Sequence, residues 1–355
     1  MKKQYGLSLV ELMISLTLGM VLMTGVVQMF LASRSTYTTQ QAISRIQETG
    51  RLGMEFLALD IRMAGYTGCS SRNPLAEFKN GLDPDTVAVG SIYDVGAEGN
   101  PDIILQSQIG IIGYESDDDL PHDEVEDNIK DGTDVLFTRG AGTSGMSLMN
   151  EVDASANVNV SGTEVDGCVE DICQGDIVVL SDCTHARLFK ITNLQGLGSG
   201  VVNLVHSSNA SENPSNRDPN NWGQEFDLGA QVMKVSSKTY YVAESELNPG
   251  SSSLWQVVDE DPPVELIEGV EDMSLRYGLD TNADNIPDDY LAASDIADDD
   301  WGAVLAVRVQ LLVQSSEENV LQEPQNIVFD GEDVDVSDRR MRQIFSSTIG
   351  IRSRL

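Results

Sequence analysis

The sequence is poor in the residues that most often carry catalysis. It has three histidines, His122, His185 and His206, in unrelated contexts and with no HExxH pair, which removes the helix-borne zinc hydrolase pattern. There is no Gly-x-Ser-x-Gly elbow and no Walker loop, so the commonest esterase and nucleotide signatures are missing, and a Rossmann dinucleotide-binding unit is not expected. Carboxylates are too numerous for any one pair to point to acid–base work, and the expectation is a chain that is not an enzyme. Positive charge is scarce too: 22 Lys and Arg stand against 57 Asp and Glu, for a formal charge of −35. Such a surface repels phosphate backbones, so direct nucleic-acid binding is not expected. Most of that charge serves solubility.

Long apolar runs are also rare, with one exception. Gly6 to Ser33 reads GLSLVELMISLTLGMVLMTGVVQMFLAS, and from Leu7 onward its only charge is Glu11. That length matches the ~20 apolar residues that cross a bilayer as a helix, the form that satisfies its own backbone in lipid. A carboxylate in such a segment costs about 2.5–3.5 kcal/mol on insertion scales, and the segment itself holds no partner for it. Upstream lies Met1-Lys2-Lys3-Gln4-Tyr5-Gly6, a short basic leader. Cutting after Gly6 would place a positive amino terminus on Leu7, four residues before Glu11. Inside one helix the two groups are awkwardly placed, but between staggered neighbouring helices they can pair, strengthened by low dielectric. A cleaved secretory signal fits less well, because its apolar region is ~7–15 residues and lacks an acid.

Leader charge, Gly6, Ser8-Leu9-Val10-Glu11-Leu12 and the apolar length together resemble the type III signal of type IV pilins and pseudopilins. The resemblance implies a prepilin peptidase that cleaves after Gly6 and N-methylates Leu7, and a Glu11 that guides subunits into a filament. Leu7 departs from the commoner phenylalanine, and the proline often found in this helix is absent; Gly19 and Gly25 supply local flexibility instead.

The helix is expected to continue past the membrane. Ile43, Ile46, Gly50, Gly53, Leu57, Ile61 and Ala64 recur at steps of three and four, an apolar stripe meant for packing on a head. Gly65 then ends the helix. Beyond it, Thr86–Tyr93, Asp134–Arg139, Asp176–Ser181, Ala186–Thr192, Val201–His206, Val232–Val242, Leu254–Val258, Met273–Gly278, Ala303–Gln314 and Ile344–Ile351 read as strands, rich in β-branched and aromatic residues and bounded by turn formers. The fold expected is α+β: leader 1–6, membrane or filament-core helix 7–33, amphipathic half 34–65, and a β-rich head 66–355 with room for two lobes and a seam near 130–230.

Cys69, Cys168, Cys173 and Cys183 all fall in that head, the exported part, where disulfides persist. No CxxC pair or spaced histidine accompanies them, so disulfides are favoured over zinc. Of the three possible pairings, Cys168 with Cys173 closes a small loop and leaves Cys69 with Cys183 as a long staple. That staple is worth ~4.7 kcal/mol on the chain-entropy model.

Further stretches narrow the resemblance. Asp60-Ile-Arg-Met-Ala-Gly-Tyr-Thr-Gly-Cys69, Gly132–Gly140, Gly175–Cys183 and Arg339–Arg354 are similar to PilW-type minor pilins. What the family implies is a structural subunit that primes type IV pilus assembly and caps the tip, in twitching motility and adhesion. Its partners would be other minor and major pilins, the inner-membrane assembly platform and a large tip adhesin. It would wait in the inner membrane with its head in the periplasm and end on the surface pilus. The alternatives are a J-type minor pseudopilin of type II secretion, or a membrane-anchored calcium-dependent adhesin or binding module outside any filament.

The sharpest local motif is Asp280-Thr-Asn282-Ala-Asp284-Asn-Ile286-Pro-Asp288-Asp289. Oxygens at alternate positions can converge on calcium: side chains of Asp280, Asn282 and Asp284, the carbonyl of Ile286, and Asp288 directly or through water. It resembles the first nine positions of an EF-hand loop, but Asn285 replaces the glycine and Leu291 the bidentate glutamate. Asparagine tolerates the left-handed conformation required there; the lost glutamate removes two oxygens. Structural calcium is therefore expected, with an acidic turn as the plain alternative. The cluster from Asp117 to Asp127 lacks alternating spacing and reads as a solvated loop. Arg339, Arg340, Arg342, Arg352 and Arg354 form the densest positive charge, expected to pair within the chain.

Overall fold

The computed structural model describes residues 9–69, 77–82, 110–116, 120, 123–126, 128–142, 144–153, 157–208, 214–217, 223–259, 261–334 and 336–354. Gly6, Leu7, the expected strand Thr86–Tyr93, most of the Asp117–Asp127 cluster and much of Ser207–Gly223 lie outside these residues. One long N-terminal helix precedes a strand-rich part, an α+β chain. By contacts it divides into two compact units, Met1–Glu48 with Gln314–Gln343, and Thr49–Val313 with Ile344–Leu355.

Helix α1 spans Leu9–Met63, 55 residues without a break. It ends as the sequence predicts: Gly65 adopts a left-handed φ of 70°, which costs glycine little. The buried positions are Ala42, Ile46, Gly50, Gly53, Leu57, Ile61 and Ala64. One expectation is corrected here. Ile43 is only half-buried and Ala42 takes its place at the start of the stripe, two steps of four back from Gly50 through Ile46.

In the first unit, the segment after residue 313 carries a small hairpin, Ile327–Phe329 with Glu332–Val334. A charged network ties together residues on either side of the hairpin in this segment. Arg342 Nη1 donates to Asp338 at 2.6 Å, Arg340 reaches Glu318 at 3.2 Å, and Arg45 pairs with Glu317. Arg340 also donates to the carbonyls of Ser315 and Ser316. The expected internal use of the arginine cluster is visible in these contacts.

In the second unit, the large sheet runs in spatial order Glu77–Asn80, His185–Lys190, Ile177–Ser181, Gln231–Glu244, Ser252–Val258, Val264–Glu268. The strands Ile111–Tyr114, Val135–Ala141 and Met146–Ser147 join it as side branches. Ile177–Ser181 is buried at all five positions, as its unbroken apolar run requires of a strand covered on both faces. Val178 and Leu180 face a core with Phe189, Leu204 and Phe226, while Ile177 and Val179 face another with Leu188 and Met233. A second sheet has the order Asp289–Leu291, Val270–Leu279, Val304–Gln314, Arg342–Gly350. Disulfides join Cys69 to Cys183 and Cys168 to Cys173.

Candidate functional site

The first half of α1 is the feature that the core does not explain. From Leu9 to Leu31 its apolar side chains stand in solvent, with Leu9 at 76% and Leu22 at 72% exposed. The helix is long and apolar enough to cross a membrane, and none of its most apolar stretch is buried within the chain. It also consumes its own hydroxyls. Ser15 Oγ donates to the Glu11 carbonyl at 2.7 Å, Thr17 to that of Ile14 at 2.9 Å, and Thr24 to that of Met20 at 2.8 Å. Such back-bonding removes polar groups that lipid or a packed helix bundle would otherwise leave unsatisfied. Glu11, in the first turn, is a charged group that this device does not cover. It is the only charged residue from Leu9 to Ser33.

The second half, from Thr49, is built for packing inside its unit. A Cβ at Gly50 would lie 2.2 Å from the Phe345 ring, and one at Gly53 3.0 Å from Leu311. The two glycines thus let the C-terminal strands approach the helix axis closely. A polar clamp fixes the register. Asp60 accepts from Lys238 Nζ at 2.8 and 3.0 Å and from the Tyr240 hydroxyl, and Gln256 donates to that hydroxyl at 2.5 Å. Burial, and then the neighbouring Asp60 charge, push the Tyr240 phenol well above its usual range, so it donates as a neutral group. The helix end is capped from the C-terminal tail: Arg352 N donates to the Arg62 carbonyl and Ser353 Oγ to that of Ala64. Close by, the half-buried Arg354 donates to the carbonyls of Trp301 and Val304, and desolvation of its guanidinium lowers its pKa to about 10.

The loop singled out for calcium is folded by its own side chains. Asp280 accepts from the backbone N–H groups of Asn282, Asp284 and Asn285, and Asp284 from that of Ile286. Asp288 accepts from Thr281 and Asn282, bonds from Thr281 that hold its carboxyl below the usual range. Asn285 sits at φ 62°, the left-handed position expected of it. Among the described residues, no three His, Cys, Asp or Glu side chains come together in an arrangement that would hold a metal.

The clamp partners of Asp60 and the tail cap escaped sequence reasoning. The glycines at 50 and 53 on an apolar face were the one signal of close approach available. Comparison with known proteins bears on both ends of the chain. Residues 239–353 match the family model for Type IV Pilus-assembly protein W, and residues 1–27 match the prokaryotic N-terminal methylation motif. No curated protein and no solved structure matches the chain. Together the two matches support a pilin-like role in pilus assembly, and the motif with its apolar helix fits a membrane-anchored pilin.

Proposed function

We propose, taking those two matches as the premise, that the chain is a non-enzymatic minor pilin. It enters the inner membrane through α1 with its head in the periplasm, is cut after Gly6 by prepilin peptidase and methylated on Leu7, and passes through the assembly platform into a type IV pilus. One observation carries the reading: an exposed apolar helix that satisfies its own hydroxyls yet keeps a lone acid, Glu11, in its first turn. Such an acid is unfavourable in lipid and becomes favourable once a neighbour's amino terminus pairs with it in a packed, low-dielectric core. The pair then sets the stagger between subunits. The large strand-rich part does not repeat easily along a shaft, which favours a priming role at the tip beside other minor pilins and a large adhesin, upstream of twitching and adhesion.

The test is Glu11→Ala. The variant is expected to insert, fold and keep both disulfides, yet to be missing from sheared pili; wild-type levels in pili would contradict the proposal. A J-type pseudopilin would instead restore secretion and not piliation, and the match over residues 239–353 favours the pilus. Calcium in the loop from Asp280 to Asp288 is a separate proposal, resting on the spacing of its oxygens. Millimolar calcium should raise the unfolding temperature relative to chelator, and Asp284→Ala should remove the difference; an unchanged wild-type midpoint would sink it.

A further inference from the structure

The second sheet ends on the C-terminal strand Arg342–Gly350, whose inner neighbour is Val304–Gln314. Two backbone bonds fix how that strand is turned. Ile351 N–H donates to the Leu305 carbonyl at 2.9 Å, and Ser315 N–H to that of Met341 at 2.7 Å. The two pairs share one antiparallel register, so no bulge lies between them. Antiparallel neighbours exchange bonds only at alternate residues, and the odd-numbered residues therefore face Val304–Gln314. The N–H and carbonyl groups of Ile344, Ser346 and Thr348 point the other way, toward no further strand among the described residues. At the strand's start, within the first unit, the outward groups of Arg342 are closed off by one side chain. Arg342 N–H donates to Gln325 Oε1 at 2.6 Å, and the Gln325 amide donates to the Arg342 carbonyl at 3.4 Å. Further along, residues 344, 346, 347 and 348 are all exposed.

Free strand edges invite pairing with foreign chains, and proteins blunt them with charge, proline, bulges or shortness. Other outer strands here follow that rule. Val264–Glu268 carries two glutamates, Asn193–Gly198 is bulged after Gly196, and Glu77–Asn80 and Asp289–Leu291 are short. Ile344–Gly350 reads IFSSTIG, seven residues with no charge and no proline. The charge lies beside it instead. Gly53 sits over Leu311 and Gly50 over Phe345, so continuing in that sense round α1 leads past the free edge. At about 100° per residue, the charged residues reached are Arg51, Arg62 and Glu55. Arg352, at the strand's end, donates its N–H to the Arg62 carbonyl at 3.1 Å. Three exposed arginines thus stand against one acid, in a chain of −35.

We infer that Ile344–Gly350 is a site of β-strand addition for an extended segment of another protein, bound antiparallel and acidic at its N-terminal end. The row of outward backbone groups selects a strand over a helix. Antiparallel pairing brings the incoming N-terminal end to Arg62 and Arg352, where acids are complementary. A second copy of the same strand is a poor occupant, because its own N-terminal end is Arg339-Arg340-Met-Arg342. The site needs neither the apolar first half of α1 nor processing after Gly6.

The test uses the full chain in detergent and an N-acetylated probe peptide, Asp-Asp-Thr-Val-Thr-Val-Thr-Val-Thr. In the free chain, hydrogen exchange should be fast at the amides of Ser346 and Thr348 and slow at those of Phe345 and Ser347. The probe should protect the first two. Ser346→Pro removes an outward N–H and keeps the bonds to Val304–Gln314. It should retain both disulfides and the unfolding midpoint while weakening the probe about tenfold or more. The same loss is expected for a probe N-methylated at alternate amides, which leaves the protein untouched, and for one with lysines in place of its aspartates. A wild type that ignores the probe at millimolar concentration, an undiminished methylated probe, or equal binding of the lysine probe overturns the inference. So do dimers of the free chain that Ser346→Pro abolishes, because a second copy would then be the occupant. None of these outcomes touches the pilin reading, and an intact Met1 would leave strand addition standing.

Discussion

At the scale of residues, Asp60 joins α1 to the large sheet. Its carboxylate serves Lys238 and Tyr240 from a site that leaves 12% of the side chain exposed. Hydrogen bonds to charged groups contribute about 1.5–3 kcal/mol, so Asp60→Ala should lower unfolding free energy by about 2–3 kcal/mol in denaturant titration. Tyr240→Phe, which removes one donor to that carboxylate and leaves the Lys238 pair, should cost less, about 1.5 kcal/mol at the lower end of that range. Equal losses would show that the Lys238 pair adds nothing. Asp338 gives a pH signature in the other unit. The Arg342 bond holds its carboxyl below the usual range. A depressed carboxylate stabilises fully above its unfolded value, near pH 4, and loses that contribution as pH falls through its folded value. Acid unfolding followed in that window should therefore shallow in Asp338→Asn; an unchanged slope would discount the pair. The four cysteines were legible in the sequence because their spacing gives them meaning, and both bridges are present. Lys238 was not, because its partner lies 178 residues away and neither residue stands out in its own segment.

At the scale of elements, α1 was legible almost to the residue, since an apolar run and then a period of three and four leave little choice. Its register was less so. Ala42 rather than Ile43 heads the stripe, a difference of one residue that hydrophobicity alone misplaces because isoleucine outranks alanine. The expected strands that fall among the described residues are present, from Val135–Ala141 to Arg342–Gly350. Strands that went unread were short or poor in β-formers. Asn193–Gly198 holds two glycines and is mostly exposed, and Val264–Glu268 is an acidic edge with no fully buried position. Pairing with a neighbour creates such strands, not their own propensity. Helix-to-strand packing gives the prediction at this scale. Gly50→Leu puts a side chain where the Phe345 ring lies, 2.2 Å from the added Cβ. Overpacking of this kind costs about 1–3 kcal/mol, and Gly19→Leu, with open space around it, should leave the unfolding midpoint unchanged. A tolerated Gly50→Leu would mean that the ring is free to swing away.

At the scale of the whole molecule, the two disulfides should contribute unequally. The Cys69–Cys183 bridge spans a sequence separation of 114 and the Cys168–Cys173 bridge one of 5. Loop-closure entropy makes the first worth about 4.7 kcal/mol and the second about 2 kcal/mol. Replacing the first pair by serine should therefore cost about twice as much in equilibrium unfolding as replacing the second. The larger claim is that a chain with an exposed apolar helix, a single acid near its start and a large strand-rich part is completed by other subunits. Its N-terminus decides that claim most directly. Intact-mass and peptide mass spectrometry of the protein from sheared pili should find a chain that begins at methylated Leu7. A chain that still begins at Met1, in cells whose pilins are processed, would contradict it.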